Sequence, residues 1–200
     1  MRTEIYFIRH CEPDYENRDD AQRALTEKGL ADRRVVTEYL ADKDIDLVVS
    51  SPFRRAVDTV GQFAAGRGME ILLVDDLRER KLTNAWVDDF EGFSRRQWAD
   101  FSYQTEGGEC LGAVQARCLA AIGALLREHP GAHIAVGFHG TALSTVLHYY
   151  DPSFGFDEFW DMSERMPWCA HLSFEGEMCA AIETVDLSAL STYNRGTDQQ

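Results

Sequence analysis

The chain has 200 residues, 44% of them hydrophobic and 11% aromatic, which excludes a disordered polypeptide and suits one domain with a sizeable core. Its formal net charge of −14 gives a surface that repels nucleic acid and anionic membranes, so neither is expected as a partner. No apolar run reaches the length of a membrane span, and Met1-Arg2-Thr3-Glu4 leads straight into a strand. A chain without a signal peptide, in the cytoplasm, is therefore expected. Cys11, Cys110, Cys118, Cys169 and Cys179 are odd in number and lack C-x-x-C spacing, which argues against a disulfide framework and a zinc site.

The first element is a buried strand over Glu4–Ile8, and it ends abruptly in Arg9-His10. Thr26 can cap a helix running to about Asp42. A strand over Asp46–Ser50 follows, then Ser51-Pro52 as a cap and first helical proline, opening a helix through Ala65. Glu70–Val74 reads as a third strand. Leu111 to Glu128 is helical, with Val114, Cys118, Ile122 and Leu125 on one face and Pro130-Gly131 as the stop. Strand His133–Phe138 runs directly into a helix over Thr141–Tyr150, and Ala170–Phe174 and Cys179–Val185 close the series. Strands alternating with helices predict an α/β fold, a mostly parallel sheet covered on both faces. The expected organisation is one domain over 1–187 with a polar tail at 188–200.

The stretch 82–104 differs from the rest. It mixes Trp86, Phe90, Phe93, Trp98, Phe101 and Tyr103 with charges of both signs. It reads as a lid or wall beside the sheet edge, or equally as an auxiliary helix packed on the core. As a wall it would favour a leaving group that is apolar or planar.

Three places repeat the theme of Arg9-His10. The second strand runs into Ser50-Ser51-Pro52-Phe53-Arg54-Arg55, setting an arginine on the first turn of a helix, where the dipole disfavours a cation unless an anion compensates it. The fourth strand ends in His139-Gly140, whose glycine permits a sharp turn or close approach. After the third strand comes Leu77-Arg78-Glu79-Arg80, a carboxylate between arginines that by itself could be a surface ion pair. In a doubly wound sheet these residues converge on one crevice at the carboxyl edge. Arg9, His10, Arg55, Glu79 and His139 form a set suited to phosphoryl transfer. One histidine attacks, the arginines and second histidine hold the phosphoryl oxygens, and the carboxyl group protonates the leaving oxygen.

Over roughly Thr3 to Val185 the chain resembles the histidine phosphatase superfamily, the phosphoglycerate mutase-like family, in its phosphatase branch. The family's Arg-His-Gly motif corresponds to Arg9-His10-Cys11 with Glu12 following. Its second motif corresponds to Ser50-Ser51 with Arg55-Ala56 and Thr59, its acid to Glu79, its Gly-Glu pair to Gly108-Glu109, and its second His-Gly to His139-Gly140. The resemblance implies a three-layer sandwich around a mostly parallel six-stranded sheet. It implies a phosphohistidine on His10, a phosphate pocket of Arg9, Arg55, His139 and Gly140, and Glu79 as general acid and base. It implies no metal and no cofactor.

Three departures stand out. Cys11 replaces the family's glycine, either as local repacking or as an oxidation-sensitive thiol beside arginines. Phe138 stands where the family often has serine or threonine. The loop after the first strand is acidic, with Glu12, Asp14, Glu16, Asp19 and Asp20, so substrates with several phosphates are expected to bind poorly. The leading expectation is a metal-independent phosphomonoesterase acting on a small phosphorylated substrate. The alternatives are a phosphoglycerate mutase-type exchanger and a non-catalytic phosphate-sensing or protein-binding module. Trp160 and Trp168, beside Phe154–Phe159, suggest either a homodimer surface or a cover for the sheet.

Overall fold

The computed structural model describes residues 1–83 and 87–191. Trp86 and tail residues 192–200 lie outside the described residues. Six strands form one sheet in the order β3-β2-β4-β1-β5-β6. They are β1 (Arg2–Arg9), β2 (Leu47–Ser50), β3 (Ile71–Leu73), β4 (His133–Phe138), β5 (Trp168–Glu175) and β6 (Met178–Val185). The four strands β3-β2-β4-β1 run parallel, and β5 and β6 add two antiparallel pairings at one side. The mostly parallel six-stranded sheet expected from the sequence is the one observed.

β1 is apolar on consecutive residues because both its faces are covered. Ile5 and Phe7 enter one core, with α4 (Leu111–Glu128), α5 (Gly140–Tyr150) and α6 (Phe156–Ser163). Tyr6 and Ile8 point the other way, into a second core with α1 (Glu27–Leu40) and α2 (Arg54–Arg67). The period-two alternation of a strand thus divides one apolar run between two layers. Among the described residues no helix is long and apolar enough to cross a membrane.

Most elements begin and end where local chemistry dictates. Thr26 caps α1, its hydroxyl accepting from the Gly29 amide at 3.0 Å. α4 spans the expected residues. α2 is different, because it starts at Arg54 after a Phe53 N-cap and not at Pro52. Ser51 does not cap it. The Ser51 hydroxyl accepts from the Phe53 amide at 3.2 Å and bonds to a histidine ring, a tertiary role that no local pattern reveals. The segment 82–104 contains a helix, α3 (Phe90–Ala99), capped by Asp89, whose carboxylate accepts from the Gly92 amide at 2.8 Å. At the end of the described chain, Ser188–Leu190 makes a 3-10 turn and the Ser191 hydroxyl donates to Asp32. Trp168 is buried on β5, and Trp160, half-buried, stacks on Phe156 with ring centroids 5.6 Å apart.

This topology prepares a crevice. The chain leaves β1 and β2 toward the α1/α2 face and leaves β4 toward the α5 face. Between the carboxyl ends of strands that part in this way, an open α/β sheet has room for a ligand. Arg9 pairs with Phe138, and Ser50 with Gly137, so the residues that follow β1, β2 and β4 emerge side by side.

Candidate active site

His10 is anchored directly past β1. Its amide donates to the Phe138 carbonyl at 3.1 Å. Its ring Nδ1 lies 2.8 Å from the Cys11 carbonyl. A carbonyl only accepts, so Nδ1 carries the proton and Nε2 keeps its lone pair. His139 follows β4, with its ring centroid 5.4 Å from that of His10. Its Nε2 is 2.7 Å from the Ser51 hydroxyl, and its Nδ1 has no partner among the described residues. Because the Ser51 oxygen already accepts from the Phe53 amide, its own hydrogen is free for His139 Nε2. With the Ser51 hydrogen on Nε2, Nδ1 of His139 would carry the ring proton.

Both imidazoles are buried. Burial pushes their pKa values well below the usual histidine range, and Arg55 and Arg9 push in the same direction. At neutral pH both rings are uncharged. In the unfolded chain they protonate near 6.5. The unfolded state therefore takes up more protons as pH falls below about 6.5, and stability falls with it. The contribution is complete above that pH and declines below it by up to about 1.4 kcal/mol per pH unit for each histidine. Urea midpoints are expected to drop between pH 6.5 and 5.5 more steeply than between 7.5 and 6.5. A His139→Phe variant is expected to flatten that drop, and an unchanged slope would contradict the assignment.

Arg9 and Arg55 are buried cations, and each has its own compensation. Arg9 donates to the Arg165 and Ser163 carbonyls, both at 2.9 Å, and to the Met162 carbonyl. These carbonyls stand at the negative end of α6. Its Nε has no partner among the described residues, and a Cβ on Gly140 would lie 3.0 Å from that atom, so the glycine admits the guanidinium. Burial pulls the Arg9 pKa down to about 10, and the group stays charged. Arg55, on the first turn of α2, meets the Asp20 carboxylate at 3.1 Å and the Asp20 carbonyl at 2.5 Å. The anion that its place on the helix calls for is thus supplied by the acidic loop. Asp20 also pairs with Arg23 at 2.9 Å.

Glu79 is held entirely by backbone. Its carboxylate accepts from the Arg80 amide at 2.7 Å and from the Thr141 and Ala142 amides, each at 3.0 Å. It therefore closes the amino end of α5 from outside, satisfying two amides that the helix leaves free. Gly108-Glu109 steadies the same segment. The Glu109 carboxylate accepts from the Lys81 amide at 3.0 Å and pairs with Arg117 at 2.9 Å and Arg78 at 3.2 Å. A Cβ on Gly108 would sit 2.1 Å from the Leu82 carbonyl, so only glycine lets the two loops meet.

Arg9, His10, Arg55, Glu79 and Gly140 line one cavity of about 570 Å³, and His139 lies buried behind the His10 ring. Sequence reasoning missed several of its walls. Tyr15, Arg18, Asp20 and Arg23 come from the acidic loop, Arg80 and Lys81 from the segment after Glu79, and Phe159, Trp160 and Ser163 from α6, while Leu82, Thr83 and Val87 belong to the stretch 82–104. Of the aromatics in 82–104, Phe90 lines the cavity. Trp98 instead packs on Phe101, His148 and Phe159. Cys11 is fully buried in the α1/α2 core, its amide donating to the Thr59 hydroxyl at 2.9 Å. Burial pushes its thiol up to about 12, which favours the repacking reading over that of an easily ionised thiol.

Over residues 5–184 the sequence matches the profile of the histidine phosphatase superfamily, branch 1. It is 25% identical to the uncharacterized phosphatase PhoE of Bacillus subtilis over 149 residues, 72% of this chain and 76% of that protein. It is 27% identical to the metal-independent phosphoserine phosphatase of Arabidopsis thaliana over 159 residues, 72% of this chain and 67% of that one. The structure of Bacillus stearothermophilus YhfR superposes with a TM-score of 0.75 at 23% identity, covering 90% of this chain and 95% of that one. A mycobacterial glucosyl-3-phosphoglycerate phosphatase superposes with a TM-score of 0.71 at 18% identity, covering 92% and 97%. These structures share the fold, and the profile reaches all six strands, leaving out only Arg2–Glu4 and Val185 of the sheet, and includes His10, Arg55, Glu79 and His139. The chain belongs to the histidine phosphatase superfamily, branch 1.

Proposed function

We propose that the protein is a cofactor-free phosphomonoesterase that works through a phosphohistidine on His10. The observation that carries this reading is the His10 ring itself. Its Nδ1–H is tied to the Cys11 carbonyl, and its Nε2 lone pair sits beside two arginines in a cavity sized for a small ester. Phosphatase relatives support the same reaction class.

In the proposed sequence, Arg9, Arg55 and the His139 Nδ1–H take the phosphoryl oxygens. The Nε2 lone pair of His10 forms the N–P bond as the ester P–O bond breaks. Glu79, in its protonated form, passes its proton to the departing oxygen. In the second half, Glu79 takes a proton from a water molecule, whose oxygen attacks phosphorus and releases His10 and inorganic phosphate. Arg9 and Glu79 are fixed in place beforehand by backbone groups, so they reorganise little in the step.

Release of phosphate from p-nitrophenyl phosphate is the first test. Turnover is expected to be the same with and without EDTA. Loss of turnover in EDTA, restored by a divalent cation, would overturn the metal-independent reading. Interconversion of phosphoglycerates without net phosphate release would instead favour a mutase.

A further inference from the structure

Which nitrogen of His10 is bare depends on one carbonyl, that of Cys11, which takes the Nδ1 hydrogen at 2.8 Å. A neutral imidazole carries its proton on either nitrogen, so the acceptor has to be held still for the choice to persist. It is held from three sides. The Cys11 amide donates to the Thr59 hydroxyl at 2.9 Å. The Cys11 side chain is fully buried in the α1/α2 core, and its thiol stays neutral because burial pushes it up to about 12. The next carbonyl, that of Glu12, accepts from the Thr26 amide at 3.0 Å. With the amide, the Cβ and the following peptide all fixed, the Cys11 carbonyl keeps one direction.

Of these groups, Thr59 reaches the other half of the site. It is fully buried on α2, four residues after Arg55. Its hydroxyl has a single hydrogen, which goes to the Arg55 carbonyl at 2.7 Å. Its oxygen therefore meets the Cys11 amide as an acceptor. One side chain thus joins the loop of the nucleophile to the helical turn that presents Arg55. A valine would fill much the same space and would leave the buried Cys11 amide without an acceptor.

We infer that Thr59 is a positioning residue for the nucleophile: by holding the Cys11 peptide it fixes the His10 tautomer that leaves Nε2 bare, and it sets that ring in register with Arg55. The buried side chain of Cys11 is the second grip on the same peptide. Glycine, which stands at this place in the family motif, has no side chain to bury and turns more freely. This chain therefore holds its nucleophile by a contact that the motif does not contain.

The role rests on the phosphohistidine reading, and the test separates the two. Long-range proton–nitrogen NMR spectra of the histidine rings read the tautomer directly, and the signals lost in His10→Ala identify those of His10. At neutral pH the wild type is expected to show a protonated Nδ1 and a bare Nε2 on His10. In Thr59→Val the two tautomers are expected to mix, and kcat for p-nitrophenyl phosphate to fall about 3- to 10-fold, the worth of one hydrogen bond. Inhibition by inorganic phosphate should stay within about twofold of wild type, because the groups proposed to hold the phosphoryl oxygens are unchanged. Thr59→Ser restores the hydroxyl, and both the tautomer and kcat are expected to return. Cys11→Gly is expected to mix the tautomers as well, and Cys11→Ala, which keeps the Cβ, to do so less. The wild-type spectrum and Cys11→Gly do not depend on whether Thr59→Val folds. A bare Nδ1 on His10 in the wild type would overturn the inference. So would a single Nδ1–H tautomer persisting in Thr59→Val or in Cys11→Gly, a mixture of tautomers with undiminished kcat, or a loss that Thr59→Ser does not restore. If the wild type turns over no ester, the phosphatase reading falls, while the spectra still decide whether Thr59 sets the tautomer.

Discussion

His10→Ala is expected to lower kcat for p-nitrophenyl phosphate by about four orders of magnitude or more, with the fold preserved. A covalent nucleophile has no substitute in this cavity. His139, the other histidine beside it, is fully buried with its Nε2 engaged by Ser51. A loss of 10⁴ corresponds to about 5.5 kcal/mol of transition-state stabilisation, far more than one positioning contact provides. The fold should survive because the His10 backbone, and not its ring, carries the bond to Phe138. Circular dichroism and a denaturation curve on the same preparation check that point. Mass spectrometry of acid-sensitive phosphate after rapid quench should find the label on wild type and not on the variant. Turnover within tenfold of wild type would end the phosphohistidine reading.

Glu79→Gln is expected to cost 10²- to 10⁴-fold in kcat for alkyl phosphates, the range typical of a lost general acid. The cost should be much smaller for p-nitrophenyl phosphate, because p-nitrophenolate departs with little need of a proton. This dependence on the leaving group distinguishes proton donation from mere positioning. The substitution also turns an amide nitrogen toward backbone N–H groups that now meet carboxylate oxygens, at Arg80, Thr141 and Ala142. A stability loss of about 0.5–2 kcal/mol, the scale of a lost helix cap, should accompany it. An equal loss of kcat for both ester classes would assign Glu79 to structure and not to acid catalysis.

The parts of the fold and site that could be read from the chain were those encoded in contiguous residues. β1 and β4 are buried on both faces, so they appear as unbroken apolar runs, and the residues that end them, Arg9-His10 and His139-Gly140, stand out against that background. Arg55 was legible because a cation on the first helical turn is out of place there. α6, an eight-residue helix of mixed aromatics and acids, has too few turns to declare a period. Ser51 looked like a helix cap because its true partner, His139, is 88 residues away. Arg80 looked like half of a surface ion pair because nothing near it in sequence announces Phe90, Phe93 and Gln97 around it. Cys11 misled in the opposite way. Its neighbours in sequence are charged, while its neighbours in space are the aliphatic side chains of the α1/α2 core.

Asp20 has one consequence for how ligands are captured. At rest its carboxylate already occupies Arg55 and Arg23, two of the arginines that face the cavity from α2 and the acidic loop. In the proposed reaction, a phosphoryl group arriving at Arg55 would trade places with this resident counter-ion. Binding is therefore an anion exchange, and the free energy of the incoming contact is offset by that of the outgoing one. The loop that carries Asp20 is held independently by the Arg54 amide, which donates to the Ala21 carbonyl at 3.0 Å, so the exchange concerns the Asp20 side chain while the backbone beside it stays anchored to α2.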